Sequence, residues 1–595
     1  MNDILAQLNP DQQQAVSFGE GPLLILAGAG SGKTKALTHR AAYLIKEKQI
    51  APDNILLLTF TNKAANEMKE RIKTLISENP PLAGTFHSFC AKILRIEGQH
   101  IGLGSNFIIY DAQDQIETIK LAMVNLSISP TEIKPKAVRS TISGAKNELI
   151  SSIEYPQYAR GFFQESASRI YISYQQMLKK FNALDFDDLL LETVKLFQKN
   201  KDILTKYQNR FKYVLIDEYQ DTNQAQYALT KALSAKWQNL TVVGDASQSI
   251  YSWRGANYRN LMSLKNDFPK LKIINLEQNY RSTQIILDAA NKVIHRNKNH
   301  PILSLWTKNQ KGEKIKIVET ETETKEALFI ASKILELLSQ GALPSEIAVL
   351  YRTNAQSRVI EEAFLHNSIA YNLVGGVRFY ERREIKDCLA YLRLLANSKD
   401  MISYKRILSL GKRRVVKFLK FADELEEKNQ LDKLTSLQIL DQIIEKTSYL
   451  DLYDKKDEQD ARRLENIKEL RSVASQFEKL DAFLENVSLI QQDNNLPKKN
   501  NYSKETVTLM TIHTAKGTEF PVVFIIGMEE GLFPHSQSMF DSESIEEERR
   551  LCYVGLTRAM KKLYLTFCLS RLYFGQRNNN PKSRFLDEIP KNLVE

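Results

Sequence analysis

The segment Leu23–Thr34 reads LLILAGAGSGKT, an apolar run that breaks into glycines and then a lysine and a threonine. Leu23–Leu26 has the continuous apolar character of a strand buried on both faces. After Lys33, the residues Ala36, Leu37, Ala41 and Leu44 recur at helical spacing. A strand, a glycine-rich turn and a helix in that order form a phosphate cradle. Gly28, Gly30 and Gly32 let the backbone wrap tightly, so that its N–H groups and the helix N-terminus can face an anion. With Ala27, Ala29 and Ser31 they make up the loop expected to hold a nucleotide. Lys33 would neutralise the β- and γ-phosphates, and Thr34 would offer its hydroxyl to Mg²⁺. Position 27 is Ala where the pattern opens with Gly, which is accommodated if that residue keeps a negative φ.

A second apolar run, Tyr213–Ile216, ends in Asp217-Glu218. In a parallel sheet, catalytic groups sit just past the carboxyl ends of strands. There Asp217 is expected to hold the Mg²⁺ shell, and Glu218 to orient and deprotonate the attacking water. An Asp-Glu pair alone is usually a solvated strand end. Joined to the loop at Leu23–Thr34, it points to nucleotide hydrolysis.

The chain has 595 residues, 43% hydrophobic and 26% charged. That suits a globular protein of roughly four domains at about 150 residues each. No stretch is long and apolar enough for a membrane span, and the N-terminus lacks the pattern of a signal peptide, so a cytoplasmic protein is expected. Cys90, Cys388, Cys552 and Cys568 are scattered in apolar contexts and read as buried thiols rather than metal ligands. Lys plus Arg number 82 against 71 Asp plus Glu, a net charge of +11. This surplus suits a polyanionic partner without establishing one.

Eight motifs stand in a fixed order along the chain: LNPDQ (Leu8–Gln12), TFTNKAANEMKERI (Thr59–Ile72), GTFHSFC (Gly84–Cys90), DEYQD (Asp217–Asp221), VGDASQSIYSWRGA (Val242–Ala256), LEQNYRST (Leu276–Thr283), VTLMTIHTAKGTEF (Val507–Phe520) and YVGLTRA (Tyr553–Ala559). In these the chain resembles the superfamily 1 DNA helicases of the UvrD/PcrA/Rep type. The resemblance implies an α/β fold with two RecA-like P-loop NTPase cores, each interrupted by a helical insertion. It also implies an ATP-dependent, DNA-stimulated motor that moves 3′→5′ on single-stranded DNA, unwinds duplexes and serves repair or replication. A single-strand translocase that strips bound proteins with little unwinding is the alternative. The implied cofactors are ATP and Mg²⁺. The implied partners are single-stranded DNA and single-strand/duplex junctions, with the protein a monomer or weak dimer.

Carried over position by position, Gln12 reads the adenine edge, Tyr280 stacks on the base, Glu519 contacts the ribose and Arg40 is a nucleotide-site arginine. Arg281 and Arg558 match the family's γ-phosphate arginines, and Gln248 links the γ-phosphate to the DNA site. The two arginines lie far from Lys33 in sequence, which implies a second domain closing over the nucleotide. The DNA track is expected to pair aromatic platforms with cations: Phe60, Phe186, Tyr251 and Trp253, with Arg254 beside the last, and Asn62, His87, Arg352, Arg358 and His513 as polar companions. Arg571–Phe585 resembles the strand-separating hairpin, with Tyr573 and Phe574 as its wedge.

The motifs partition the chain. Residues 1–107 and 186–275 are assigned to the first core and 108–185 to its insertion, where Lys146-Asn147 reads either as a DNA contact or as a solvated helix face. Residues 276–377 and 504–595 are assigned to the second core and 378–503 to its insertion. That second insertion is shorter than usual and lacks the family's GIG-type turn. In its place stands RILSLGKRRVVKF (Arg406–Phe418), whose Lys412, Arg413, Arg414 and Lys417 read as a phosphate grip or as an exposed helix face. With the sequence read to Glu595, a fused nuclease domain after the hairpin is not expected.

Overall fold

A computed structural model describes residues 4–76, 79–427, 430–455, 457–493, 505–573 and 576–595. The chain forms two compact units, one of residues 1–281 and 297–309 and the other of 282–296 and 310–595.

The first unit is built on a six-stranded parallel sheet ordered Leu82–Thr85, Ile55–Thr59, Tyr213–Ile216, Leu240–Gly244, Leu23–Ala27, Lys272–Leu276. Leu24 pairs with Val242 on one side and Ile273 on the other, and all five residues of Leu23–Ala27 are buried. Helices cover the faces of such a sheet, which is why the strand reads as an unbroken apolar run. Ala36, Leu37, Ala41 and Leu44 of the helix Lys33–Lys46 pack onto it with Ile72 and Leu215. Because all six strands run the same way, the residues after Ala27, Thr59, Thr85, Ile216 and Gly244 come to one edge of the sheet. These are the residues of the motifs.

Residues 108–185 gather their own apolar cluster, with Ile119, Met123, Ile142, Tyr171 and Tyr174. Its stem is a pair of short parallel strands, Ile108–Tyr110 and Ala183–Asp185.

The second unit repeats the plan. Its parallel sheet runs Lys316–Thr322, Ala559–Tyr573, Phe520–Ile525, Ile347–Tyr351, Val507–Thr511, Tyr371–Leu373, with Gln576–Asn578 folded back antiparallel on Ala559–Tyr573. Tyr351 pairs with Thr511, so Arg352 and His513 follow neighbouring strands at the same edge. A separate helical cluster spans Phe379 to Val487 and includes Tyr391, Phe418 and Tyr449.

One boundary differs from expectation. The segment Gln278–Arg281, assigned above to the second core, lies in the first unit, where Gln278–Asn279 pairs with Trp306–Thr307. The reason is local bonding to the glycine-rich loop: Asn279 Nδ2 donates to Ala29 O at 2.7 Å, and the Tyr280 N–H donates to Gly30 O at 3.0 Å. The four cysteines are buried free thiols.

Candidate nucleotide and DNA site

The glycine-rich loop leaves the sheet at Ala27 and turns through two left-handed residues, Gly30 at φ +66° and Gly32 at φ +84°. A Cβ on Gly30 would stand 2.5 Å from Asn279 Nδ2 and 2.9 Å from Arg281 Cβ, so the position needs glycine on both conformational and steric grounds. A Cβ on Gly32 would meet Gln12 Nε2 at 2.9 Å. Gln12 is buried, donates to Ser31 O at 2.9 Å and accepts from the Asn9 N–H. Gln12, Tyr280 and Arg281 are thus brought to the loop within one unit. Lys33 Nζ bonds the carbonyls of Ala27 and Gly28 at 3.2 and 3.4 Å, and the Ser31 hydroxyl donates to Gly28 O. The cradle and its donors fit a nucleotide triphosphate.

From Thr34 a chain of bonds crosses the sheet edge. The Thr34 hydroxyl donates to Asp217 Oδ2 at 2.9 Å. Glu218, next in sequence, has the left-handed φ of +52°, an uncommon conformation for a residue with a side chain. Gln220 Nε2 donates to Glu218, and Gln220 Oε1 accepts from the Asp245 N–H at 3.0 Å. Asp245 Oδ2 in turn accepts from Gln248 Nε2 at 2.6 Å. Burial, and then the neighbouring Glu218 charge, push Asp217 up to about 6, although Thr34 and Lys33 pull the other way. Buried Asp217 with the Thr34 hydroxyl beside it, and half-buried Glu218 next in the chain, offer the hard oxygen donors that Mg²⁺ takes. Gln220 and Asp245 complete this line and were missed in the sequence as individual residues. They lie within motifs already quoted, and only the bond pattern separates them from their neighbours.

Beyond Gln248 the same segment carries Tyr251 and Trp253, whose rings lie edge to face at 6.2 Å, with Trp253 43% exposed. Phe186 is 50% exposed and sits edge-on to His87 at 5.8 Å. Burial lowers the His87 pKa, which favours a neutral ring. Phe60 is partly buried against Phe86, and Asn62 is exposed. Of Arg254 only the backbone is described, at the end of a short 3-10 turn.

In the second unit, Arg352 makes a two-pronged ion pair with Glu548, with its closest contact at 2.6 Å. His513 is half-buried and Glu519 exposed. Arg558 is buried, donating to Val554 O, Thr518 O and Thr557 Oγ1.

Three expectations are corrected. Arg358, assigned to the DNA track, is 3% exposed and clamped by Glu469 and Glu362 at 2.7 Å each. A guanidinium at that depth is kept charged only by such partners, so it is a strut rather than a phosphate contact. Arg40, assigned to the nucleotide, is buried and bonds Thr241 Oγ1 and the carbonyls of Ala15, Val16, Phe18 and Gly19. It ties the N-terminal segment to the sheet, and burial lowers its pKa to about 10. Lys146 is neither a DNA contact nor a solvated residue: it is 0% exposed and paired with Asp185 and Asp188.

In the second insertion, Lys412 and Arg413 are exposed at the start of the helix Lys412–Glu427. Arg414 turns back to Leu410 O, and Lys417 to the Ser448 hydroxyl. The strand Ala559–Tyr573 carries the expected wedge to its end, but Phe574 lies outside the described residues, as does the side chain of Tyr573.

Residues 8–269 match the family model of the UvrD/REP helicase N-terminal domain, and residues 274–570 match that of the UvrD-like helicase C-terminal domain. The chain is 46% identical to the ATP-dependent DNA helicase PcrA of Bacillus subtilis (strain 168), over all of this chain and 87% of that protein. It is 42% identical to the protein of the same name in Staphylococcus aureus (strain Mu50) and in Staphylococcus epidermidis, over all of this chain and 88% of each. The chain belongs to the UvrD/Rep helicase family.

Proposed function

We propose that this protein is an ATP-driven DNA helicase that moves 3′→5′ along single-stranded DNA and opens duplexes ahead of it. One observation carries the reading: the line Thr34–Asp217–Glu218–Gln220–Asp245–Gln248 leads from the phosphate loop to the segment bearing Tyr251 and Trp253. A change at the γ-phosphate end of that line is felt at the aromatic end through bonds that already exist.

ATP is held by the loop Ala27–Thr34, with Gln12 and Tyr280 beside it and Glu519 assigned to the ribose by resemblance. Mg²⁺, held by Thr34 and Asp217, would supply charge neutralisation at the phosphates. Glu218 orients a water and takes its proton, held in place by Gln220. Lys33, Arg281 and Arg558 stabilise the charge that develops on the transferred phosphoryl group. The bonds from Arg558 to Val554 O, Thr518 O and Thr557 Oγ1 fix the plane of its guanidinium within its own unit. Phe60, Phe186, Tyr251 and Trp253 stack on bases. Asn62, His87, Arg254, Arg352 and His513 supply polar contacts, and Tyr573 and Phe574 are assigned to strand separation by resemblance.

ATPase rates with single-stranded DNA, single-stranded RNA and neither polymer test the substrate class. Stronger stimulation by DNA than by RNA is expected, because the 2′-hydroxyl is the group by which a protein tells the two polymers apart. Equal stimulation by both polymers would replace the DNA reading with a general single-strand motor.

A further inference from the structure

A buried cluster of charge in the first unit takes no part in the nucleotide chemistry. Lys146, at the end of the helix Pro135–Asn147, places its ammonium 2.7 Å from both Asp185 Oδ2 and Asp188 Oδ1. All three groups are buried. The Tyr174 hydroxyl donates to the same Asp185 oxygen at 2.9 Å, Gln175 Nε2 donates to Asp188, and the rings of Tyr171 and Tyr174 flank the ammonium at 5.8 and 5.2 Å.

The remaining carboxylate oxygens form a reciprocal cap. Asp185 Oδ1 accepts from the Asp188 N–H at 2.8 Å, and Asp188 Oδ2 from the Asp185 N–H at 3.2 Å. The helix so capped is Phe186–Lys199, and its first residue is the exposed ring of Phe186.

We propose that Lys146 is a positioning residue for the DNA track: by gripping both capping carboxylates it fixes the first turn of that helix, and with it the Phe186 ring on which a base stacks. The proposal rests on the reading of Phe186 as a stacking platform.

Capping alone does not call for this arrangement, since a neutral Ser or Asn cap satisfies the same N–H groups. Nor does stability, because apolar packing in place of a buried ion pair is often as stable or more so. What the cluster adds is rotational definition, as each carboxylate is held from two sides. The next residue extends the same reference point. Asn147 Oδ1 accepts from Asn223 Nδ2 at 2.6 Å, and Asn147 lies 3.6 Å from where a Cβ on Gly255 would stand, two residues after Trp253. One helix end therefore registers Phe186 against the segment that carries Trp253.

The test compares the single-stranded DNA concentration that half-stimulates the ATPase in the parent, Phe186→Ala, Lys146→Met/Asp188→Asn and the combination of all three changes. The pair of changes removes the cation together with one of its buried partners, so that less charge is stranded. Loss of a stacked base is expected to raise the half-stimulating concentration about tenfold in Phe186→Ala. The Lys146→Met/Asp188→Asn protein should show a rise of about the same size, and adding Phe186→Ala to it should produce little more, because both act through one ring. Its DNA-free ATPase rate and its KM for ATP should stay at the parent values.

A parental half-stimulating concentration in Lys146→Met/Asp188→Asn, or fully additive effects, overturns the role of Lys146 alone. A parental value in Phe186→Ala overturns the platform reading and this proposal with it. Should the double change prevent folding, Tyr174→Phe, which removes one hydroxyl from Asp185, decides: a rise of about two- to threefold supports the role, consistent with loss of one hydrogen bond, and no rise refutes it.

Discussion

At the scale of single residues, the proposed function divides the work of hydrolysis between Glu218 as base and Asp217 as metal ligand, and the two differ in surroundings: Asp217 is buried and Glu218 is half-buried. Glu218→Gln keeps the hydrogen-bonding shape but cannot accept a proton. It should bind ATP as the parent does and lose about 10²–10⁴-fold in DNA-stimulated turnover, the usual worth of a general base. Parental turnover in that variant would remove Glu218 from the role. Asp217 makes a separate prediction about stability. Its pKa is raised to about 6 in the folded protein by burial and by Glu218, against about 3.9 in an unfolded chain. The folded state therefore carries a penalty that is absent below pH 4, grows as the pH rises through 6 and is complete above it. Asp217→Asn should stabilise the Mg²⁺-free protein at pH 8 by roughly 1–3 kcal/mol, and so raise its unfolding midpoint. The gain should vanish toward pH 4, while ATPase activity is lost at both. Thermal unfolding in EDTA across that pH range reads the effect, and a destabilised variant at pH 8 would contradict it.

At the scale of elements, the parallel sheet explains why the site was legible in one dimension. Lys33, Thr34, Asp217 and Glu218 follow strands whose apolar runs are visible in the sequence, and parallel pairing brings those strand ends to one edge. The loop geometry carries its own prediction. Gly30→Ala must place a Cβ at φ +66° within 2.9 Å of Arg281 Cβ. The left-handed cost alone is about 1–2 kcal/mol, so the KM for ATP should rise about tenfold or more, measured by ATPase titration. An unchanged KM would mean that the loop is not the nucleotide site. What was not legible is the fate of individual cations. Arg358, Arg40 and Lys146 look in sequence like any basic residue on a helix. Their partners Glu469, Thr241 and Asp185 lie 111, 201 and 39 positions away, and only the fold reveals that each side chain is buried and already bonded within the protein. The boundary near residue 276 was misplaced for a related reason. Periodicity shows where the strand Lys272–Leu276 lies, but not that Asn279 and Tyr280 bond back to Ala29 and Gly30.

At the scale of the whole molecule, the chain holds two units of the same parallel plan and matches the N- and C-terminal domains of the UvrD/Rep helicase family. Arg281 and Arg558 lie in different units, and Arg558 is bonded to carbonyls of its own unit. Arg558→Ala should therefore lower DNA-stimulated turnover about 10³-fold or more, as expected for an arginine that stabilises the transferred phosphoryl group, with little change in ATP affinity. An equal loss of affinity and turnover would make it a ground-state contact instead. The central claim, that ATP hydrolysis drives directed movement which separates strands, is tested most directly by unwinding of duplexes bearing a 3′ or a 5′ single-stranded tail, with the Glu218→Gln protein as control. The account predicts ATP-dependent separation of the 3′-tailed duplex, little or none of the 5′-tailed one, and none by the control. Separation that is independent of ATP, or equally fast for Glu218→Gln, would contradict it.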